Sequence, residues 1–218
     1  MTLKDETTRY YDAISMDYDK SAGYTNPEAE ELRKPIKERF QEIVRGKDVL
    51  EIACGTGYWT QVIAVTAESV LATDINPSMV SIAAEKCAKL SNVSFLVADA
   101  YSLEGVPEGF DAAFAHWWWS HIPKNLITSF LNVLHSKLNP GSIVFFRDHL
   151  VYSGFKKSDD VEGTRMENRQ LPDGSAFNVV KNYPSKEEIL SALSGIAYDV
   201  QYLEFPGENS WDVIYRTR

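Results

Sequence analysis

The chain has 218 residues and a formal net charge of −9, enough for one sizeable core and too short for two comfortable domains with a linker. Such acidity argues against a nucleic-acid partner, because proteins that bind phosphate backbones carry a basic patch. No run approaches the roughly 20 apolar residues that span a bilayer, so no membrane partner is expected either.

The first residues, "MTLKDETTRYYD", are polar and unlike a signal peptide. Two cysteines, Cys54 and Cys87, lack CxxC spacing, which reads as free buried thiols in a reducing cytoplasm. No His/Asp/Glu spacing argues for a metal site. A small-molecule partner is expected, with the chain itself a monomer or homodimer.

Residues 5–20 place Tyr11, Ile14 and Tyr18 three and four apart, the spacing of a short amphipathic helix. Leu32, Ile36, Phe40, Ile43 and Val44 share a second helical face, and Pro35 inside that pattern predicts a break near Lys34. Residues 1–46 thus read as a helical cap. Then the grammar changes. "DVLEIAC" at 48–54 and "SVLATD" at 69–74 are apolar runs of strand length. Asn76 and Pro77 predict a helix start, and Met79, Val80, Ala83, Ala84, Cys87 and Leu90 keep helical spacing. "VSFLVAD" at 93–99 and "FDAAFAHW" at 110–117 read as strands three and four. "NLITSFLNVLHSKL" reads as a helix stopped by Asn139-Pro140-Gly141, and "SIVFFRDH" as a fifth strand.

Residues 150–184 lose periodicity, contain the turn signal "LPDGS" and read as an insertion on the substrate side. Ser185 with Glu188 predicts a capping box, and "YDVQYLEF" and "SWDVIYRT" predict an antiparallel hairpin. The expected architecture is one α/β domain, with a core at 47–149 and a helix and hairpin at 185–218. Its doubly wound sheet has seven strands, mostly parallel, with an antiparallel hairpin at the end and helices on both faces.

"LEIACGTGYWT" at 50–60 carries the chemistry. Gly55 and Gly57 remove side chains where the backbone bends at a strand's carboxyl end, the place where doubly wound sheets bind ligands. Asp74, 17 residues after Gly57 at the tip of the second strand, suits the hydroxyls of a ribose. A dinucleotide site requires a small residue where Thr60 stands, and Glu51 inside the first strand would repel a diphosphate. A nicotinamide-dependent oxidoreductase is therefore the weaker reading, and a cationic nucleoside the stronger.

"LEIACGTG" resembles the first motif of class I S-adenosylmethionine-dependent methyltransferases. "ATDINPSMV", "VADA" and "FDAAFAHWWWSHI" are similar to the three that follow, and "YYDAISMDYD" to the N-terminal helix of the quinone-biosynthesis branch. The resemblance covers about residues 48–149 and implies a Rossmann-like fold. It further implies S-adenosylmethionine as cofactor, with S-adenosylhomocysteine as product, and methyl transfer to a small molecule through a nitrogen, oxygen or carbon nucleophile. A relative that binds the cofactor without catalysis fits the same motifs.

By position, the resemblance implies that Glu51, Ala53, Gly55 and Gly57 line the methionine half and that Asp74 holds the ribose. Ile75 and Ala100 would flank the adenine, with Asp99 accepting from its amino group. His116 and Trp117 would face the sulfonium, with Tyr11 and Tyr18 closing over it. His116 and His121 are candidate general bases or structural donors. His135, on a helix, reads as solvated. Three successive tryptophans on a strand cannot all face a core, so one of Trp117, Trp118 and Trp119 is expected in the cleft, where a π face could hold a cation. Trp118, His149, Arg165 and Arg169 are candidate substrate contacts, the arginines for an anionic group.

Overall fold

A computed structural model describes residues 3–151, 160–161 and 163–218. Helix α1 (Leu3–Ala13), a 3-10 turn at Ser15–Asp17, α2 (Tyr18–Ser21) and α3 (Pro27–Val44) precede the sheet. The core runs β1 (Asp48–Ile52), α4 (Tyr58–Ile63), β2 (Ser69–Asp74), α5 (Pro77–Lys86), β3 (Val93–Val97), β4 (Phe110–His116), α6 (Ile127–His135) and β5 (Leu138–His149). It continues through β6 (Asp160–Val161), β7 (Thr164–Gln170), β8 (Ala176–Val180), α7 (Lys186–Leu193), β9 (Ala197–Phe205) and β10 (Ser210–Thr217).

The main sheet has seven strands in the order β3-β2-β1-β4-β5-β10-β9. The first five are parallel, and β10 runs antiparallel to both β5 and β9. Strand side chains alternate between faces. Leu50, Ile52, Ala113, Ala115, Val144 and Phe146 accordingly pack on one side with Phe130 and Leu134 of α6 and Ile189 of α7. Val49, Ala112, Phe114 and Phe145 pack on the other with Phe40 and Val44 of α3 and Trp59 and Ile63 of α4. Both faces are covered, which is why these strands read as continuous apolar runs.

Several expectations are corrected. Pro35 does not break its helix, since α3 runs through it. Pro35 and Glu31, whose carbonyl loses its intrahelical partner, are both exposed, so water takes the missing bond. Leu32 leaves the apolar face and is 77% exposed. Residues 5–20 form a helix, a 3-10 turn and a second short helix. Helix α6 stops at His135, and Asn139-Pro140-Gly141 lies inside β5, where the register with β4 shifts. His135 is packed, with Nε2 2.8 Å from the Tyr215 hydroxyl, and burial lowers its pKa to about 4. The stretch at 150–184 contains β6, β7 and β8, a three-stranded antiparallel sheet, while 152–159 and 162 lie outside the described residues. Around "LPDGS", Leu171 N donates to Ser175 O at 2.8 Å and Gly174 has φ +88. Strand β7, "TRMENRQ", is polar because its sheet docks α1 largely through β8 and its backbone, so no apolar period marks it.

The expectations of a capping box and of free thiols hold. Ser185 and Glu188 form the capping box of α7. Both cysteines are buried and free. Among the described residues no helix is long and apolar enough to cross a membrane, and no group of His, Cys, Asp or Glu could hold a metal ion.

Glu51 is the costly residue of β1. It is 2% exposed and its Oε2 accepts from Thr60 Oγ1 at 2.7 Å. Burial raises its pKa from 4.5 to about 8, opposed by the Thr60 bond and reinforced by the charge of Asp74. Between those two values the folded chain keeps a proton that the unfolded chain has released, so this residue's contribution to stability falls as pH rises through that window. The melting temperature of Glu51→Gln minus that of the wild type should therefore grow from pH 5 to pH 8. Parallel melting curves would show that Glu51 does not hold the proton.

Candidate active site

The parallel order places β1 at the centre with β2 on one side and β4 on the other, and a cleft opens beyond their carboxyl ends, as doubly wound topology requires. A cavity of about 90 Å³ lies there. Tyr11, Tyr18, Ala53, Gly55, Asp74, Ile75, Asp99, Ala100, His116, Trp117, Trp118 and His121 all line it. Five expected residues do not: Glu51, Gly57, His149, Arg165 and Arg169.

At one end the backbone of β1 turns through Ala53 (φ +53) and Gly55 (φ +55), both left-handed. A Cβ added to Gly55 would sit 3.6 Å from the Tyr18 ring, so Tyr18 lies directly on this turn. Gly57 serves packing. With φ +78, a Cβ there would come within 2.8 Å of Ala83 Cβ and 2.9 Å of its Cα, so only glycine lets the turn touch α5. Asp74 Oδ2 accepts from Gly55 N at 3.0 Å and Oδ1 from Asn76 N at 2.9 Å. Burial raises the pKa of Asp74 against the lowering effect of these amides. Asn76 occupies the cap position of α5 without capping it, and its side-chain Nδ2 donates to Thr8 O at 3.3 Å. Asp99 accepts from Tyr101 N at 3.0 Å and pairs with Lys4 Nζ at 2.5 Å.

At the other end His121 is 7% exposed. Its Nδ1 lies 2.6 Å from Val180 O and its Nε2 2.9 Å from the Tyr11 hydroxyl. A carbonyl only accepts, so Nδ1 carries the proton, and Nε2 takes the bond that Tyr11 donates. Arg169 Nη1 donates to the same Tyr11 oxygen at 3.2 Å. Burial first, then Lys181 and Arg169, holds His121 well below its usual pKa, and burial raises that of Tyr11. Both groups are neutral.

His116 is likewise held neutral, by burial and then by Arg147. Its ring packs 4.6 Å from Trp59 and 4.4 Å from Trp117. The tryptophans do not follow strand alternation, because β4 ends at His116 and Trp119 opens a 3-10 turn. Trp119 is buried against Phe146 and Trp211, while Trp117 and Trp118 line the cleft. Trp117 sits at φ +58, a strained conformation for a bulky residue. Tyr24 (6.2 Å) and His149 (4.8 Å) stack on its ring.

Arg169 stands behind Tyr11 and pairs with Glu167 at 3.2 Å. Arg165 also contacts Glu167 and lies over the Tyr183 ring. Lys181, 5% exposed, donates to Ser120 Oγ at 2.7 Å and meets His149 Nδ1 at 3.0 Å and Asp148 at 3.5 Å. Sequence reading missed Lys4, Thr7, Thr8, Tyr101 and Lys181. Only Tyr101 had a signal, adjacency to "VADA". The others reach the site through the packing of α1 and β8, which no motif marks.

Residues 49–141 match the family described as "Methyltransferase domain". Phosphoethanolamine N-methyltransferase 1 of Caenorhabditis elegans is 28% identical over 142 residues, covering 64% of this chain and 30% of that protein. Demethylmenaquinone methyltransferase of Staphylococcus aureus is 25% identical over 144 residues, covering 65% of this chain and 59% of that protein. The chain thus spans under two thirds of either relative's length. The solved complex of DhpI with SAH superposes with a TM-score of 0.79 at 27% identity, covering 99% of this chain and 97% of that one; DhpI is also solved with SAM and HEP. In its sheet order, its glycine turn and its strand-tip acids, the chain is similar to class I S-adenosylmethionine-dependent methyltransferases.

Proposed function

We propose that the chain transfers a methyl group from S-adenosylmethionine to a small molecule bearing an anionic group, at the His121 end of the cleft. The observation that carries this reading is the placement, in one cleft, of a side-chain-free turn with two strand-tip carboxylates at one end and a tautomer-fixed histidine at the other. The residues present fit the cofactor. Asp74 and Asp99 offer carboxylate oxygens for ribose and adenine, Ile75 and Ala100 offer apolar flanks, and the Gly55 backbone is open to close approach. Bound there, S-adenosylmethionine would supply a methyl carbon attached to positively charged sulfur. Glu51, beneath the turn, would favour the ammonium of the methionine half only on releasing the proton it holds in the free chain, and neutral His116 spares the sulfonium a neighbouring cation.

The protein's main task is alignment and exclusion of water. Tyr11 and His121 form the proton path. A nucleophile at the Tyr11 oxygen gives up its proton as its lone pair forms the new bond, and Tyr11 passes its own proton to His121 Nε2. Arg169, on the same oxygen, and Lys181, behind His121, do not line the cavity, and their positive charge favours an acidic acceptor only through the Tyr11 and His121 that stand in front of them. The name of the Caenorhabditis elegans relative, which specifies a phosphate ester, supports an acceptor of that charge. We place the enzyme in the cytoplasm on its two free thiols and treat residues 1–218 as one domain.

Three measurements test the reading. Calorimetry should show binding of S-adenosylmethionine and S-adenosylhomocysteine but not NAD, and Asp74→Ala should weaken it by about 1–3 kcal/mol; unchanged affinity removes the ribose role. In radiolabelled methyl transfer to a panel of small phosphate and phosphonate compounds, His121→Gln should lower kcat by about 10²–10⁴ with cofactor affinity kept. Arg169→Met should raise the acceptor KM about ten-fold or more. A panel of neutral and cationic compounds methylated as readily by the wild type would exclude the anionic acceptor.

A further inference from the structure

Helix α1 touches both ends of the cleft. Near its start Lys4 pairs with Asp99 and lies 5.0 Å from the centroid of the Tyr101 ring. Seven residues later, about 10 Å along the helix, Tyr11 meets His121 and Arg169. Between them Asn76 donates to Thr8 O, and Ser78 Oγ donates to Asp12 at 2.6 Å. On its other side α1 rides on β8, where Val180 N donates to Thr7 Oγ1 at 3.0 Å and Asn178 N to Glu6 Oε1 at 2.7 Å. The helix is a roof, bonded to the hairpin backbone and held to the nucleoside side by a few side-chain contacts.

The cavity beneath it is about 90 Å³, whereas pockets that bury a small organic ligand measure about 300–1,000 Å³. A nucleoside reaches Asp99 only when α1 lifts. Asp99 Oδ1 is already engaged by Tyr101 N, and Lys4 occupies Oδ2. That leaves no carboxylate oxygen free of a donor.

We propose that the Lys4–Asp99 ion pair is a latch that competes with the adenine amino group for the Asp99 carboxylate, so that α1 closes either on the latch or on bound adenosine. The proposal rests on the reading that adenosine lies between Asp74 and Asp99. An order of binding follows. An acceptor held at Tyr11 pins α1 down, so the cofactor enters first and the acceptor second. The latch is weak by construction, because Lys4 and Asp99 keep 32% and 29% of their side-chain exposure, and such pairs open readily.

Lys4→Met keeps the length of the side chain and removes the ammonium. Stopped-flow binding of S-adenosylhomocysteine, read by the fluorescence of Trp117 and Trp118, should be about two- to five-fold faster in the variant, the worth of a partly exposed ion pair. The two rates should converge as salt is raised. Amide exchange in α1 of the ligand-free variant should exceed that of the wild type and return to it when S-adenosylhomocysteine is bound. Exchange in β1 and β4, read from the same samples, reports that the variant is folded. Equal association rates with equal α1 exchange would overturn the latch and leave the cofactor reading intact. If neither chain binds S-adenosylhomocysteine, the cofactor reading falls and the latch with it.

Discussion

The hydrogen bond from the Gly55 amide to Asp74 Oδ2, 3.0 Å long, is the contact on which the cleft depends. It ties the turn after β1 to the tip of β2, and the second oxygen of the same carboxylate takes the amide of Asn76, at the start of α5. One side chain thus fixes a strand end, a glycine turn and a helix start. Gly57, pressed against Ala83, then locks that turn onto α5. Two charge-assisted bonds to backbone amides are each worth about 1.5–3 kcal/mol, yet burial still raises the Asp74 pKa. The carboxylate is held at a cost in solvation, and a ligand offering hydroxyl donors recovers part of it.

The His121 end of the cleft shows the opposite electrostatic design inside an acidic chain. Asp148 is fully buried; burial alone would raise its pKa, but Lys181 and then His149 hold it well below the usual carboxylate range. Lys181 is buried too, and burial lowers its pKa against the pull of Asp148. Removing either partner would strand a buried charge, a larger loss than the pair's net worth. The pair fixes Ser120 and His149, and His149 stacks on the strained Trp117. A charge network therefore sets the wall of the cleft without entering it, and the histidines facing the cavity stay neutral.

The sheet was legible because burial on both faces leaves a periodic record. The apolar runs at 48–54, 69–74, 93–99 and 110–117 end within two residues of the observed strands. The glycine turn and Asp74 were legible because their backbone geometry admits few residue types. Illegible features had causes that sequence does not carry. Pro35 stays inside α3 because its exposed side lets water replace one bond, a fact of burial. The hairpin of β7 and β8 meets α1 through backbone amides and through Arg169 and Phe177, contacts that leave no apolar period in β7. His135 looked solvated on its helix, but Tyr215, 80 residues later, meets it. Lys4 reaches Asp99 across 95 residues, and only the packing of α1 brings them together.

The division between legible and illegible parts follows the division of labour in the molecule. The family match ends at residue 141 and begins at residue 49, so it takes in Gly55, Asp74, Asp99 and His121 while leaving out Tyr11, Arg169 and Lys181. The nucleoside end is built from strand tips of the sheet, where any change in geometry would propagate through seven strands. The His121 end takes Tyr11 from α1 and the Val180 carbonyl from β8, two elements that bond to each other. Such a pair can exchange side chains while the cofactor cleft keeps its form, because function sits in sites carried on a fold. A single helix then spans both ends, so replacing the acceptor wall cannot be wholly independent of the nucleoside pocket. Tyr11, bonded to His121, and Lys4, paired with Asp99, stand on that one helix, so a shift of either side chain is felt at the other.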